Sequence, residues 1–171
     1  MRSPKCSRTI GGAISSGTSK SGAISKTSGF FGGAVVKSFP DLAIEDEGRL
    51  RNFNIREHYL TKIYALASYR EVRNSGDVSD LIRFQEVNKF LLTAHSQKET
   101  QILGKIAANH DGLDFEKQAG LYGEHLANAL KRPPRTPSKA NVLMHLLGFF
   151  KDQLTIQEKE HFLGSIRKYK D

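Results

Sequence analysis

Six histidines and one cysteine are the side chains of this 171-residue sequence best suited to acid–base or metal chemistry. His95 follows Leu92-Thr93-Ala94 and precedes Ser96, at a junction between helical stretches. His145 follows Asn141 by four residues, which stacks the two side chains on one helix face. The rest of that stretch is apolar, so a polar pair on it carries information. One reading gathers His95, Asn141 and His145 into a polar pocket for a small polar ligand or for acid–base work. The other makes them a hydrogen-bonded contact between helices, because buried polar groups need partners. No His-x-x-x-His or His-Glu-x-x-His spacing occurs, which argues against a zinc site.

Lys131-Arg132-Pro133-Pro134-Arg135-Thr136-Pro137-Ser138-Lys139 carries four positive charges and no acid. It leads into a helix start, where free N–H groups favour anions. Lys131, Arg132, Arg135 and Lys139 therefore read as a phosphate site for a nucleotide or nucleic acid, or as an ordinary exposed loop. Glu45-Asp46-Glu47 offers carboxylates, but adjacent acids point in different directions and make a poor catalytic pair. Gly29-Phe30-Phe31-Gly32-Gly33 lacks the strand and helix that flank a nucleotide loop. The lone Cys6 excludes an intrachain disulfide and any multi-cysteine zinc or iron–sulfur site built by this chain alone.

The elements that must position these residues begin late in the chain. Residues 1–40 hold six basic residues, no acid and 16 glycines and serines. The remaining residues carry 20 basic against 18 acidic side chains, so most of the net +8 belongs to the first segment. Such asymmetry fits a nucleic-acid tail or a solvated segment. Ile10–Ser25 reads as loop or disorder, because few of its side chains can offset the entropy of ordering the backbone. No apolar run fits a secretory signal or a transmembrane helix, so the protein is expected to be cytoplasmic, with no membrane partner.

Thr27 or Ser28 caps an expected short helix over Phe30–Ser38, ended by Phe39-Pro40. Leu42-Ala43-Ile44 reads as a strand end. From Ile55 onward the period is helical. Ile55, Tyr59, Ile63 and Leu66 mark the first stripe, closed by Asn74-Ser75-Gly76. Ser79 or Asp80 caps a helix with Leu81, Phe84, Val87, Asn88, Leu91 and Leu92 inside. Ser96-Gln97-Lys98-Glu99 and Thr155-Ile156-Gln157-Glu158 have the capping-box form. Phe115, Ala119, Tyr122, Leu126, Ala129 and Leu130 form another stripe. Ser138 caps the helix that holds Leu143, Met144, Leu147 and Phe150. The fold class is mainly α: a bundle of five or six helices over 55–171.

Several stretches resemble known families. Phe84 to Lys89, Leu91-Leu92-Thr93-Ala94-His95-Ser96-Gln97-Lys98, Gly104 and Lys139-Ala140-Asn141-Val142-Leu143-Met144-His145-Leu146-Leu147-Gly148-Phe149-Phe150-Lys151 resemble the YbgA-like helical family, which is bacterial and has no established activity. Ser3-Pro4-Lys5-Cys6, Gly29-Phe30-Phe31-Gly32 and Phe39-Pro40-Asp41-Leu42-Ala43-Ile44-Glu45-Asp46-Glu47-Gly48-Arg49-Leu50 resemble the last part of the thiouracil-desulfidase family. That second resemblance implies an α/β remnant over 1–54, poorly ordered without its partner strands, ahead of a helical domain over 55–171. It implies that Cys6 matches one of three cysteines holding a [4Fe–4S] cluster, whose fourth iron accepts sulfur from a thiocarbonyl substrate. It places Ser3 beside that substrate as a catalytic candidate. Lys5 and Ser7 depart from the family's usual Ser and Gly. The other two cluster cysteines have no counterpart here, so the chain reads as truncated at both ends and binds no cofactor alone. The expected function is a YbgA-like module, a piece of a [4Fe–4S] desulfidase acting on thiolated nucleobases and not catalytic by itself. The alternative is a module that binds nucleic acid or another protein.

Overall fold

A computed structural model describes residues 30–39 and 42–170. Ser3, Cys6, the Ile10–Ser25 segment and the Thr27/Ser28 cap lie outside the described residues. The chain divides into two units, Met1–Leu42 and Ala43–Asp171. In the first, α1 spans Phe30–Ser38, the range the sequence predicts.

The second unit is a helical bundle. Asp46 opens it by accepting from Gly48 N at 2.9 Å and Arg49 N at 3.3 Å, a turn that leads into a 3-10 helix at Arg49–Arg51. Then follow α2 (Phe53–Ser75), α3 (Val78–His95), α4 (Gln97–Ala108), α5 (Phe115–Ala129), α6 (Thr136–Phe150) and α7 (Ile156–Lys170). Six helices after residue 52 agree with the five or six expected. No strand occurs among the described residues, so Leu42-Ala43-Ile44 is irregular rather than a strand end. None of the described helices is long and apolar enough to cross a membrane.

Local chemistry sets the boundaries. Asn52 caps α2 through Ile55 N, and Gly76 at φ 71° ends it in the left-handed conformation that glycine adopts without strain. Asp77, not Ser79 or Asp80, caps α3, accepting from Ser79 N at 2.8 Å. Asp80 instead lies in the first turn, where its charge suits the helix dipole. Ser96 alone joins α3 to α4: its N–H bonds the Leu92 carbonyl and its hydroxyl caps Glu99 N. Only half of that expected capping box forms, because the Glu99 carboxylate turns to His125 Nδ1 of α5 at 2.7 Å. The box at Thr155 is complete, with Glu158 and Thr155 bonding each other's backbone N–H at 2.8 and 3.3 Å. Ser138 is not the cap of α6. That helix starts at Thr136 with Pro137 in its first turn, where a missing N–H costs nothing.

The core lies among α2, α3, α4 and α5. Leu81, Leu92, Leu103, Tyr122, Leu126 and Leu130 are fully buried. The rings of Tyr69, Phe84 and Tyr122 meet at centroid distances of 5.4 to 6.0 Å. Tyr122 donates to Gln85 Oε1 at 2.6 Å, and Gln118 Nε2 donates to the Ile106 carbonyl at 2.8 Å, while the buried Gln118 Oε1 has no partner among the described residues. Tyr69 donates to the Ala119 carbonyl. Gly123 lets α5 approach this ring, since a Cβ there would stand 3.1 Å from Tyr69 Cε1. The ring is held by its hydrogen bond and by stacking, so it cannot retreat. Gly123→Ala is expected to lose about 1–2 kcal/mol despite alanine's better helix propensity; a urea midpoint unchanged or raised would show that the ring yields. α6 packs on α3, and among the described helices α7 packs on α6 alone.

Candidate functional site

The most unusual titratable cluster lies at the end of α3, between α2 and the loop that leads into α6. His95 is the last residue of α3, and its Nδ1 stands 3.1 Å from the Arg132 carbonyl. A carbonyl can only accept, so Nδ1 carries the proton and Nε2 keeps its lone pair. The imidazole packs on His58 of α2, with ring centroids 5.3 Å apart and planes tilted by 33°. Nδ1 of His58 is buried and has no hydrogen-bond partner. An unpartnered lone pair there is less costly than an unpartnered N–H together with a charge, which favours the proton on Nε2.

Both rings are held neutral. Burial pushes His58 down to about 4, helped by His95 and Lys62 and opposed by Glu45. Burial also lowers His95, with Lys139 adding to the effect and the Arg132 carbonyl opposing it. The surroundings are thus rich in cations: Lys62 from α2, Lys139 from the first turns of α6, and the basic run tethered through Arg132. Lys131, Arg132 and Arg135 are exposed and Lys139 is partly buried. The carboxylate that opposes the shift of His58, Glu45, is bonded to Arg49 at 2.8 Å. Glu45 and Asp46 therefore serve a salt bridge and a turn, not acid–base chemistry.

His95 and the Lys131–Lys139 run, read separately in the sequence, are joined by the hydrogen bond to Arg132. Asn141 and His145 are both exposed on α6, and no hydrogen bond among the described residues links either to His95. Sequence reading passed over His58 and Lys62. The signal for them is the α2 stripe itself: Ala65 and Tyr69 are its buried members, and the same spacing carried back reaches Lys62 and His58. A groove of about 400 Å³ also opens between α3 and α4. Three of its polar side chains are occupied: Gln85 by Tyr122, Thr93 by the Lys89 carbonyl and Thr100 by the Ser96 carbonyl. Among the described residues no group of three or more His, Cys, Asp or Glu could hold a metal ion.

Comparison with known proteins bears on the same region. Residues 89–171 match the family described as "Protein of unknown function (DUF1722)". The stretch runs from the second half of α3 to the end of α7, and includes His95 and the basic run. The chain is also similar to "Uncharacterized protein YbgA" of Escherichia coli (strain K12), at 26% identity over 113 residues, covering 65% of this chain and 67% of that protein. No solved structure matches. Both matches agree with the resemblance carried by the Leu91–Lys98 and Lys139–Lys151 stretches: the helical domain built around α3 and α6 is similar to YbgA and to the DUF1722 family.

Proposed function

We propose that the YbgA-like domain is a binding module for a phosphate-bearing, nucleotide-like ligand, and that it serves a desulfidase-like domain acting on thiolated nucleobases. The binding half of this reading is carried by the His95–Arg132 hydrogen bond, which fixes the base of the Lys131–Lys139 run on the end of α3. A run tethered at its base offers its cations to an anion at a lower cost in chain entropy than a free loop does. The desulfidase half rests on the resemblance of the first 54 residues, with Ser3 and Cys6 as the matched positions.

A [4Fe–4S] cluster does not fit the donor set of this chain. It needs three thiolates even with one iron left open, and the sequence has one cysteine. The remaining thiolates must come from outside these 171 residues, and catalysis by these residues alone is not part of the proposal. A second reading, a protein-interaction module, is favoured by exposed apolar side chains near the α6–α7 connection, with Phe149 70% and Ile156 75% exposed.

Fluorescence anisotropy with a labelled single-stranded RNA of about a dozen nucleotides tests the binding half. If all four cations of the run touch phosphates, affinity should fall about 50-fold between 50 and 200 mM salt. Replacing Arg132 and Arg135 by alanine should flatten that slope. Absence of binding at 50 mM salt would remove the nucleotide reading and leave the protein-interaction one.

A further inference from the structure

The groove between α3 and α4 has a volume of about 400 Å³ and a lining of amides and hydroxyls, with one acid and one base, Glu86 and Lys89. Gln85 belongs to this lining and is only 8% exposed. Tyr122 donates to its Oε1 at 2.6 Å from the core side. Its Nε2 stands 3.5 Å from the Thr100 carbonyl of α4, the outer limit of a hydrogen bond. A carbonyl can only accept, which sets the nitrogen end of the amide toward α4. The second N–H of that amide has no partner among the described residues. The contrast is Gln118, whose Nε2 donates to two carbonyls at 2.8 and 3.3 Å. Gly104 leaves the Gln85 amide uncovered, since a Cβ there would stand 3.7 Å from Nε2. Gln101, on the same face of α4 and almost one turn before Gly104, is exposed and makes no side-chain hydrogen bond among the described residues.

We propose that this groove binds a neutral, planar heterocycle by its cyclic-amide edge, the adjacent C=O and N–H of a lactam or cyclic urea. The open N–H of Gln85 donates to a ring carbonyl. The Gln101 amide carries a donor and an acceptor side by side, and pairs with the ring N–H and the carbonyl next to it, as glutamine pairs with the edge of a base. A peptide segment does not offer this edge: its bond is trans, so its N–H and C=O point in opposite directions. A ring holds the amide cis and turns both groups the same way. Neutrality follows from the lining, where the charges of Glu86 and Lys89 cancel and select neither an anion nor a cation. The volume suits a molecule of nucleobase or nucleoside size. The site lies on other residues than the basic run and needs no phosphate, so it goes beyond the binding reading above and is tested apart from it.

The test is titration of the full chain with uridine and with inosine, followed by backbone amide shifts, with 3-methyluridine and 1-methylinosine as forms whose ring N–H is blocked. At least one parent nucleoside should bind with a Kd below about 1 mM, and its methylated form at least about tenfold more weakly. Affinity should change by less than about twofold between 50 and 200 mM salt and should survive replacement of Arg132 and Arg135 by alanine, because no phosphate takes part. Gly104→Ala should weaken binding at least about tenfold by covering the Gln85 N–H. Its urea midpoint should hold or rise, since the new methyl group meets only an ordinary contact and alanine suits a helix better than glycine. Gln101→Leu should weaken binding about fivefold. Binding that ignores Gly104→Ala and Gln101→Leu overturns the groove as the site. Equal affinity for the methylated forms overturns the cyclic-amide edge. Absence of binding by both nucleosides at about 5 mM overturns the inference and leaves the phosphate reading standing on its own titration with RNA.

Discussion

Replacing Tyr122 by alanine is expected to remove about 4–5 kcal/mol of stability, the largest single loss available in this fold. The ring is fully buried and contacts both Tyr69 and Phe84. Truncating a buried aromatic costs about 3–5 kcal/mol through lost transfer energy and the cavity left behind. Tyr122→Ala also strands Gln85, whose Oε1 loses its donor in a buried setting. An orphaned buried acceptor adds about 1–3 kcal/mol, partly recovered if water enters the new cavity. A domain of ordinary stability, about 5–15 kcal/mol, would be left close to unfolding. Tyr122→Phe separates the two contributions: it keeps the ring, orphans Gln85, and should cost about 1–2 kcal/mol. Urea unfolding of both variants checks this. A loss below about 2 kcal/mol for the alanine variant would mean that the trio of rings can repack.

The second large effect is a loss of stability in mild acid. In the folded chain His58 takes up a proton at about 4, against an ordinary 6.5. The unfolded chain therefore binds that proton first, and stability falls as pH drops through the window between those values. Above the ordinary value the neutral ring contributes in full; below the folded value nothing further is lost. His95 shifts in the same direction and widens the effect. A fully sealed ring would lose about 3 kcal/mol over such a shift, and partial solvent access reduces this to about 1–2 kcal/mol. Carboxylates titrate near the lower end of the window too, so the informative quantity is a difference. His58→Leu should be at least as stable as the parent at pH 4.5 and show a flatter fall from pH 7.5. An identical pH profile for the two proteins would show that His58 is not held neutral by the fold.

What the sequence reveals here depends on how local the signal is. Ser96 and Thr155 are the right caps, because a hydroxyl followed three residues later by a carboxylate has little competition. The caps of α3 and α6 are misplaced. Asp77 wins over Ser79 because Gly76 leaves α2 at that point, and the next residue is the first that can start a helix. Ser138 loses to Arg135, which precedes Thr136 without a side-chain cap bond, because Pro137 suits a first helical turn, while its ring marks a chain break to a reader of composition. Glu99 satisfies half its box and gives its carboxylate to His125, a partner 26 positions away that no local pattern reveals.

The candidate site divides along the same line. The basic run is visible as a run, and His95 as a histidine at a helix end. That one holds the other follows from the packing of α3 against the loop before α6, which depends on the whole bundle. Asn141 and His145 do share a helix face, as their spacing requires, but that face is exposed. The apolar residues around them suggest the reverse, because α6 carries hydrophobic side chains on more than one side. On α2, Ile55, Tyr59, Ile63 and Leu66 are only partly buried, whereas Ala65 and Tyr69 are buried. A small residue marks where neighbouring helices come closest, and it attracts less notice than an isoleucine. With the stripe set one position off, His58 falls on the wrong side of the expected helix.

The last helix bears differently on how the molecule behaves. Because α7 packs on no other described helix than α6, its opening breaks contacts with one described neighbour and leaves the rings of the core undisturbed. It forms a cooperative unit of its own, with an opening free energy below that of the whole domain. Proteases and exchanging solvent would reach its amides through brief local release, long before the core yields. Loss of α7 by nicking would uncover the apolar side of α6 and make the remaining bundle prone to association. The stability of α2 to α5 and the working lifetime of the protein in solution are then separate quantities, the first set by the buried rings and the second by a single helix–helix seam.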